Sequence, residues 1–167
     1  MSAAARTASG GGSAGRVREA LAALGLADDV IYFEQSTKTA QMAADAMGCE
    51  LGQIVKSLVF VVDSRPVLAL VAGDRRGDAG AIAREAGGEH AALADADMVR
   101  EATGYAIGGV SPFDLPAGLP VLIDESLSRF GIVYPAAGTP ASMVRMTFDR
   151  LLEVTGGRVV PVGSVSA

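Results

Sequence analysis

The stretch GQIVKSLVFVVD, residues 52–63, is the most informative part of this chain for its fold. Its apolar run is long enough for a buried β-strand, in which successive side chains point to opposite faces. Lys56 and Leu58 then share one face, while Val55 and Ser57 share the other. Beyond Ser57 both faces are apolar, which is typical of an inner strand covered on both sides. A sheet with other elements packed on its two faces is therefore expected.

Lys56 stands at the start of this apolar run, where a buried ammonium group is costly. The charge is tolerated if it reaches solvent, an acidic side chain or an anion. The ordinary explanation is a structural lysine whose stem lies on apolar surface and whose head is hydrated or paired with a carboxylate. The alternative is a lysine that meets a ligand, and the strand pattern alone leaves both open.

Hydrophobic patterning predicts a mixture of helices and strands around this run. A strand over 57–62 and a second over 67–72 are joined by DSRP, and this short connection predicts an antiparallel hairpin. Helices are predicted over 16–24, 40–47, 79–86, 98–102 and 149–154, and further strands over 30–34, 121–127, 130–134, 144–148 and 158–162. Asp78, and either Asp95 or Asp97, are suitable helix N-caps. The order predicts an α+β (mixed α/β) fold, a single domain with a mixed central β-sheet flanked by helices.

Composition narrows the class of protein. The chain has 167 residues, the size of one domain, and its apolar stretches are far shorter than the roughly 20 residues of a membrane-spanning helix. Residues 1–15 are rich in Ala, Gly and Ser and are predicted to be a flexible tail rather than a signal peptide, which leaves 16–167 as the domain. One cysteine, Cys49, and one histidine, His90, predict no disulfide, metal or cofactor, and a cytoplasmic location.

The charge balance limits the partners. The formal net charge is −5, whereas non-specific nucleic-acid affinity comes from Lys and Arg that neutralise phosphates. The only dense basic spot is Arg75-Arg76, between two aspartates. We therefore expect no DNA partner and no membrane partner, and any RNA must be bound weakly, locally or with help.

Two glycine-containing loops are candidate ligand sites. In the first glycine loop, TGYAIGGVSPF (103–113), Gly108 and Gly109 permit a positive φ and close backbone approach, so that N–H groups could face an oxyanion or a phosphate. The second glycine loop, YPAAGTPAS (134–142), has a glycine and a hydroxyl between two prolines. A tight turn or bulge explains either loop equally well. No catalytic triad, carboxylate pair or P-loop accompanies them.

The segments IVKSLVF, GYAIGGVSPF and YPAAGTP, in this order and at this spacing, resemble the YbaK/EbsC family, which is similar to the editing insertion domain of bacterial prolyl-tRNA synthetases. The resemblance covers the chain from about residue 16 to the last strand. It implies a free-standing deacylase that hydrolyses the ester of a wrongly charged aminoacyl-tRNA, usually tRNA for proline carrying a smaller amino acid. The implied partners are the aminoacyl-tRNA 3′ end and an aminoacyl-tRNA synthetase.

The resemblance also implies roles for particular residues. Lys56 matches the family's essential lysine, Gly108 and Gly109 match its carbonyl-facing loop, and Gly138 matches its second substrate loop. The expected substrate-binding residues are Ser36, Thr37, Ser57, Ser111, Pro112, Gly138 and Thr139. In this family the terminal hydroxyl of the tRNA, or a substrate thiol, is thought to assist the reaction.

Some positions depart from the family's patterns. Cysteinyl-tRNA-specific members carry a serine and an aspartate where this chain has Ala136 and Met143, and alanine-specific members tend to place an asparagine where it has Ser57. The edited residue therefore stays open among small amino acids such as alanine, serine and 2-aminobutyrate. Two other hypotheses remain: a non-catalytic module that binds the aminoacylated 3′ end or a synthetase, and a carboxylate or phosphate pocket unrelated to tRNA.

Overall fold

The computed structural model describes residues 13–35 and 37–165. The helices are α1 (Ser13–Ala23), α2 (Ala40–Met47), α3 (Ala79–Glu85), α4 (Ala96–Thr103) and α5 (Phe148–Thr155). The strands are β1 (Val30–Tyr32), β2 (Ile54–Val62), β3 (Arg65–Ala72), β4 (Arg75–Gly77), β5 (Ala91–Leu93), β6 (Val121–Asp124), β7 (Ile132–Pro135), β8 (Ser142–Val144), β9 (Met146–Thr147), β10 (Arg158–Val160) and β11 (Gly163–Val165). Short 3₁₀ helices span Ala27–Asp29, Leu51–Gln53 and Glu125–Arg129.

The strands form one large sheet and two small ones. The large sheet has the order β9-β7-β2-β3-β6-β10, and β5 also pairs with β2. β3, β5 and β2 run antiparallel where they pair, while β7 is parallel to β2 and β6 is parallel to β3. Two-stranded sheets join β11 to β4 and β1 to β8. This arrangement confirms the predicted α+β fold with a mixed central sheet.

The β2–β3 hairpin is the centre of the sheet. It turns through Asp63 and Ser64, both with positive φ, which is the two-residue connection that suits the twist of a hairpin. One face, which includes Val55 and Val59, packs against a cluster with α1, α4 and α5, and the opposite face, which includes Phe60, packs against a cluster with α3. The sheet is therefore covered on both sides, as the apolar pattern predicted.

Side-chain caps set several helix starts. Asp78 accepts the Ala81 N–H at 3.1 Å at the start of α3, and Asp95, rather than Asp97, accepts the Met98 N–H at 2.9 Å at the start of α4. Thr39 caps α2 in the same way. Because Asp95 is the cap, α4 begins at Ala96, two residues before the predicted start.

Some predicted boundaries are wrong. The strand predicted over 121–127 ends at Asp124, because the Asp124 carboxylate accepts the Ser126 N–H at 3.2 Å and starts a 3₁₀ helix. The segment 144–148 divides between β8, β9 and the start of α5. The predicted helix over 16–24 begins at Ser13. The tail prediction for residues 1–15 otherwise falls on residues outside the described range and stays a prediction.

Pairing along β2 is uneven. β7 pairs with Ile54 and Val55, and β5 pairs with residues 60–62, so residues 56–58 have no neighbouring strand on that edge among the described residues. The Ile54 carbonyl accepts a bond from Gly73 beside β3, and the Val59 carbonyl accepts one from Ala94 on the other side. Because antiparallel strands alternate the direction of their backbone groups, the Ser57 N–H and C=O point into this gap.

Candidate functional site

A hollow of about 270 Å³ opens at the gap beside residues 56–58. We call it the loop cavity, because the two glycine loops and the segment before α2 enclose it. Five of the predicted site residues line it: Thr37, Lys56, Ser57, Gly108 and Thr139. A separate hollow of about 400 Å³ beside residues 116–120 contains none of the predicted site residues. The loop cavity is therefore the candidate functional site.

Lys56 is half-buried at the wall of the loop cavity, and its ammonium group donates a hydrogen bond to the Arg75 carbonyl. Within the described residues it has no ion pair with a carboxylate. Burial lowers the pKa of Lys56 below its ordinary value, an effect that the charge of Asp74 opposes and that of Arg76 adds to. A cation at this position, with no bound carboxylate, is well placed to attract an anionic or carbonyl group of a ligand.

Asp74 forms ion pairs with two arginines and not with Lys56. Its two carboxylate oxygens accept bonds from the Arg129 guanidinium at 2.7 and 3.0 Å, and Arg75 lies at 3.1 Å. The hydrogen bond from Arg129 is the main reason why the pKa of Asp74 lies below its usual range. Asp74 therefore favours the protonated form of Lys56 only by electrostatic attraction, without an ion pair.

Ser57 lies on the other side of β2 from Lys56 and also lines the loop cavity. Its Oγ is shielded from solvent and has no hydrogen-bond partner within the described part of the chain. A buried hydroxyl without a partner is uncommon and costs about 1–3 kcal/mol. Ser57 therefore places an unpaired hydroxyl, shielded from solvent, at the cavity wall, next to the backbone groups that point into the sheet gap.

The first glycine loop divides two roles between its glycines. Gly108 is exposed, lines the cavity and has a φ of 89°, so the positive φ that the sequence suggested for the pair belongs to this residue alone. Gly109 is buried, and its N–H donates to the Ala106 carbonyl at 3.0 Å. A Cβ on Gly109 would lie 3.3 Å from the Gly138 carbonyl oxygen, so this glycine permits the two loops to touch.

Side chains outside the loop hold it in place. Arg16 of α1 donates to the Asp114 carboxylate at 2.8 Å and to the Asp114 carbonyl at 2.9 Å, and its guanidinium lies 4.8 Å from the centre of the Tyr105 ring. The Tyr105 hydroxyl donates to the Phe113 carbonyl, and burial raises the pKa of Tyr105 to about 12. These anchors were not predicted from the sequence, because Arg16 is 98 residues from Asp114.

Ser111 and Pro112 lie behind the loop cavity. Both are buried and neither forms its wall. The Ser111 hydroxyl donates to the Ala136 carbonyl at 2.8 Å, so it fastens the first glycine loop to the second. Their predicted substrate contacts are not supported by this position, because the hydroxyl of Ser111 is already used within the protein.

The second glycine loop forms the opposite wall. Gly138 has a φ of 96° and lies behind the wall, which is formed instead by Thr139. The Thr139 hydroxyl is 2.8 Å from that of Ser142, and the Thr37 N–H and hydroxyl both bond to the Pro140 carbonyl, at 2.8 and 2.9 Å. The predicted residue Ser36 lies outside the described residues. The segment before α2 and the second loop therefore form one connected wall.

Several residues that line the loop cavity were not among the predicted site residues. They include Val110, Ser142 and Met143, the last of which the sequence marked only as a position that varies within the family. Val110 follows the glycine pair directly and was the easiest to find, whereas Ser142 and Met143 reach the cavity only through the β1–β8 pairing. Cys49 and His90 are not part of the wall, and burial raises the pKa of the Cys49 thiol.

The described residues hold no group of three or more His, Cys, Asp or Glu side chains suited to a metal ion. Across residues 13–35 and 37–165, no helix is both long and apolar enough to cross a membrane. The predictions of no metal and no cofactor stay predictions.

Comparison with known proteins defines the family. The model of the aminoacyl-tRNA editing domain matches residues 34–154, a range that includes Lys56 and both glycine loops. The chain therefore belongs to the aminoacyl-tRNA editing domain family, as the resemblance implied. The α+β fold of this chain is shared by a solved relative.

Several relatives support this assignment. The uncharacterized protein YwhH of Bacillus subtilis strain 168 is 38% identical over 133 residues, which are 79% of this chain and 84% of YwhH. The multifunctional Ser/Thr-tRNA deacylase ProXp-y of Escherichia coli K12 is 30% identical over 131 residues, 75% of this chain and 78% of ProXp-y. The crystal structure of a "putative trans-editing enzyme for prolyl tRNA synthetase" is 43% identical, covers 91% of this chain and 97% of its own, and has a TM-score of 0.83.

Proposed function

We propose that this protein is a trans-editing hydrolase that deacylates mischarged aminoacyl-tRNA, with tRNA for proline carrying a small non-cognate amino acid as the substrate. The observation that carries the proposal is the loop cavity, in which Lys56 and Gly108 meet within the segment that matches the editing family. The names of two relatives, a tRNA deacylase and a trans-editing enzyme, support hydrolysis as the activity.

The dimensions of the loop cavity favour a small acyl group. Its volume of about 270 Å³ is slightly below the ~300–1,000 Å³ range of ordinary small-molecule pockets. Its walls mix apolar side chains, such as Val55 and Met143, with the hydroxyls of Thr37 and Thr139. A residue such as alanine, serine or 2-aminobutyrate suits this mixture.

In the proposed reaction, a water, assisted by the terminal hydroxyl of the tRNA, attacks the ester carbonyl, and the bond to the ribose oxygen then breaks with the proton of the water going to that oxygen. Water attack releases the free amino acid and the tRNA. Negative charge develops on the carbonyl oxygen, and the Lys56 ammonium and the Gly108 N–H are the groups suited to stabilise it. Such preorganised donors often supply the largest part of catalysis. Because the described residues place no histidine or carboxylate on the cavity wall, positioning and electrostatics are the chain's contribution.

The acidic charge of the chain bears on where and with which partner it acts. We infer that the protein acts in the cytoplasm beside an aminoacyl-tRNA synthetase, because its net charge of −5 gives it little general affinity for RNA. A synthetase that holds the tRNA would compensate for this weakness.

Loss of labelled amino acid from mischarged tRNA tests the proposal. A panel of tRNA for proline carrying Ala, Ser, Cys, Thr or 2-aminobutyrate is incubated with the protein, with and without prolyl-tRNA synthetase and with and without EDTA. We expect release of at least one small residue within minutes, unaffected by EDTA, while correctly charged prolyl-tRNA persists. Equal, uncatalysed release from every substrate would contradict the proposal.

A non-catalytic binding module is the second candidate. The observation in its favour is that, among the described residues, the cavity wall carries no histidine, cysteine or carboxylate side chain. Such a module would retain the acyl group and bind the charged tRNA more tightly than the uncharged tRNA. The same panel, read by filter binding, separates the two functions.

A further inference from the structure

A second hollow of about 410 Å³ lies on the other side of Lys56. We call it the strand groove. Its walls are Leu58, Phe60, Arg76, Ala79, Ala92 and Leu93. Leu93 pairs with Phe60 across β5 and β2, so both side chains lie on the sheet face that also carries Lys56.

The floor of the strand groove is tightly packed. Phe60 is 3% exposed, and a Cβ on Gly77 would lie 2.8 Å from its ring. The rim is open by contrast, because Leu93 is 65% exposed at the edge of the sheet. An apolar hollow with a firm floor and an exposed aliphatic rim suits a flat apolar group such as a nucleobase.

The strand groove and the loop cavity are adjacent. Lys56 and Leu58 line both of them, so these two side chains form the boundary between the hollows. An aminoacyl-tRNA has the same arrangement of parts: the acyl group on one side of the ester and the terminal nucleoside on the other. If the ester lies at Lys56 and the acyl group lies in the loop cavity, the nucleoside extends toward the strand groove.

The charges at the strand groove suit a phosphate. Arg76 is exposed on the groove and forms no ion pair within the described residues, whereas the neighbouring Arg75 is paired with Asp74. The charge of Arg76 adds to the lowering of the Lys56 pKa, so the two cations repel one another. An anion at Arg76 relieves this repulsion.

We propose that the strand groove binds the terminal adenosine 5′-phosphate of the substrate tRNA, with the base against Leu58 and Leu93 and the phosphate at Arg76. This inference rests on the proposed function, since it assigns the second half of the same substrate. It makes Leu93 and Arg76 binding residues and leaves the choice of amino acid to the loop cavity.

5′-AMP is the probe. We expect AMP to bind the wild-type protein, with NMR shifts centred on Leu93 and Ala92, and to compete with aminoacyl-tRNA for deacylation. Leu93→Asp places a carboxylate on the base-binding wall, so the Ki of AMP and the KM of the tRNA should rise about tenfold, as loss of one base contact does. The kcat and the preference among amino acids should change less than about twofold.

Two further variants sharpen the test. Val159→Asp is the matched control, because Val159 is also exposed, at 41%, on the short edge strand β10 away from both hollows; it should leave AMP binding and KM unchanged. Arg76→Gln should bring the affinity for AMP down to that for adenosine, because only the phosphate contact is lost.

The results distinguish the inference from the proposed function. Deacylation by a wild-type protein that neither binds AMP nor is inhibited by it would overturn the strand groove as the nucleotide site, and the proposed function would stand. A wild-type KM for both Leu93→Asp and Arg76→Gln would overturn it as well. AMP binding that is lost in both variants, in a protein that deacylates nothing, would support the groove and refute the enzyme.

Discussion

The two halves of β2 have opposite characters. Residues 60–62 pair with β3 on one edge and β5 on the other, and Phe60 and Val62 are buried among apolar neighbours. Residues 56–58 pair only with β3 among the described residues, and they carry an ammonium group with no ion pair and a hydroxyl with no partner. The second half of this strand therefore stabilises the fold, and the first half forms part of the candidate site.

The difference between the two halves indicates which groups of this domain are candidates for function. A strand segment whose polar groups are all hydrogen-bonded stabilises the fold. Polar groups without partners at a gap in strand pairing cost stability, and they are retained where a ligand can bind them. Changes in the first half should therefore affect activity more than stability, and changes in the second half should do the reverse.

Gly109→Val should abolish turnover. The loop over the first half of β2 is closed by the contact of Gly109 with Gly138, where a Cβ would already lie 3.3 Å from the carbonyl oxygen and two further carbons would not fit. The loop must then move away from Lys56. Gly131→Val is the matched control, because a Cβ there meets no atom within 4 Å and its φ is not positive. Single-turnover deacylation measures both, and an active Gly109→Val protein would show that the loops need not touch.

Lys56→Ala should reduce the deacylation rate about a hundredfold, or about 3 kcal/mol of transition-state stabilisation, as loss of one positioned donor does elsewhere. Its free energy of unfolding should change little, because no carboxylate is left unpaired among the described residues. Val59→Ala changes the residue just before 60–62, which is already bonded on both edges of the strand. It should lose about 2 kcal/mol of stability, since Val59 is 3% exposed in the main core. Its rate should be nearly unchanged.

Thermal unfolding and the rate on each of these two variants test the contrast directly. A Lys56→Ala protein destabilised by 3–5 kcal/mol with intact chemistry would indicate a structural lysine in a buried ion pair. A fully active and fully stable Lys56→Ala protein would leave this lysine without either role.

Much of the fold could be predicted from local patterns. The hairpin of β2 and β3, the cap Asp78 and the mixed order of elements follow from apolar periodicity and short-range hydrogen bonding. For α4 the sequence left Asp95 and Asp97 open, and the structure selects Asp95. The strands β4 and β11 were missed, because RRG and GSV have neither apolar alternation nor length. They form only through pairing with each other across 85 or more residues.

The candidate site was predictable in its residue types but not in its arrangement. Lys56 and Gly108 were found from the motif, whereas the supporting position of Ser111 depends on a bond to Ala136 in another loop. The strand groove could not be predicted either, since Arg76 and Leu93 reach it from separate elements. The local sequence determines which polar groups a segment carries. Contacts with distant segments determine which of these groups remain without a hydrogen-bond partner.

Alkaline pH should reduce the deacylation rate and increase the free energy of unfolding. The pKa of Lys56 is lowered in the folded protein, mainly by burial, so its ammonium loses the proton below the ordinary lysine value of 10.5. The catalytic charge then disappears as pH rises through this lowered pKa. Because the unfolded chain binds the proton more tightly there, the same titration raises stability with pH up to the unfolded pKa.

The pH profile of the rate, with uncatalysed hydrolysis subtracted, measures the first effect. Lys56→Arg keeps its charge throughout this range, so any activity it retains should show no alkaline decrease. An identical decrease in both proteins would assign the titration to another group.

The smallest effect is expected for Ser57→Ala. Its effect on stability, compared with that of Ser111→Ala, shows whether the Ser57 hydroxyl is unpaired. The Ser57 hydroxyl is buried without a partner among the described residues, whereas the buried Ser111 hydroxyl donates to the Ala136 carbonyl at 2.8 Å. Removal of an unpaired hydroxyl should leave the free energy of unfolding unchanged or raise it by up to about 1 kcal/mol, while Ser111→Ala should lower it by about 1–2 kcal/mol because a carbonyl loses its partner. The deacylation panel should show a few-fold change in amino-acid preference for Ser57→Ala. Equal destabilisation by both substitutions, with preference unchanged, would mean that Ser57 is paired in solution and that the first half of β2 is no less satisfied than the second.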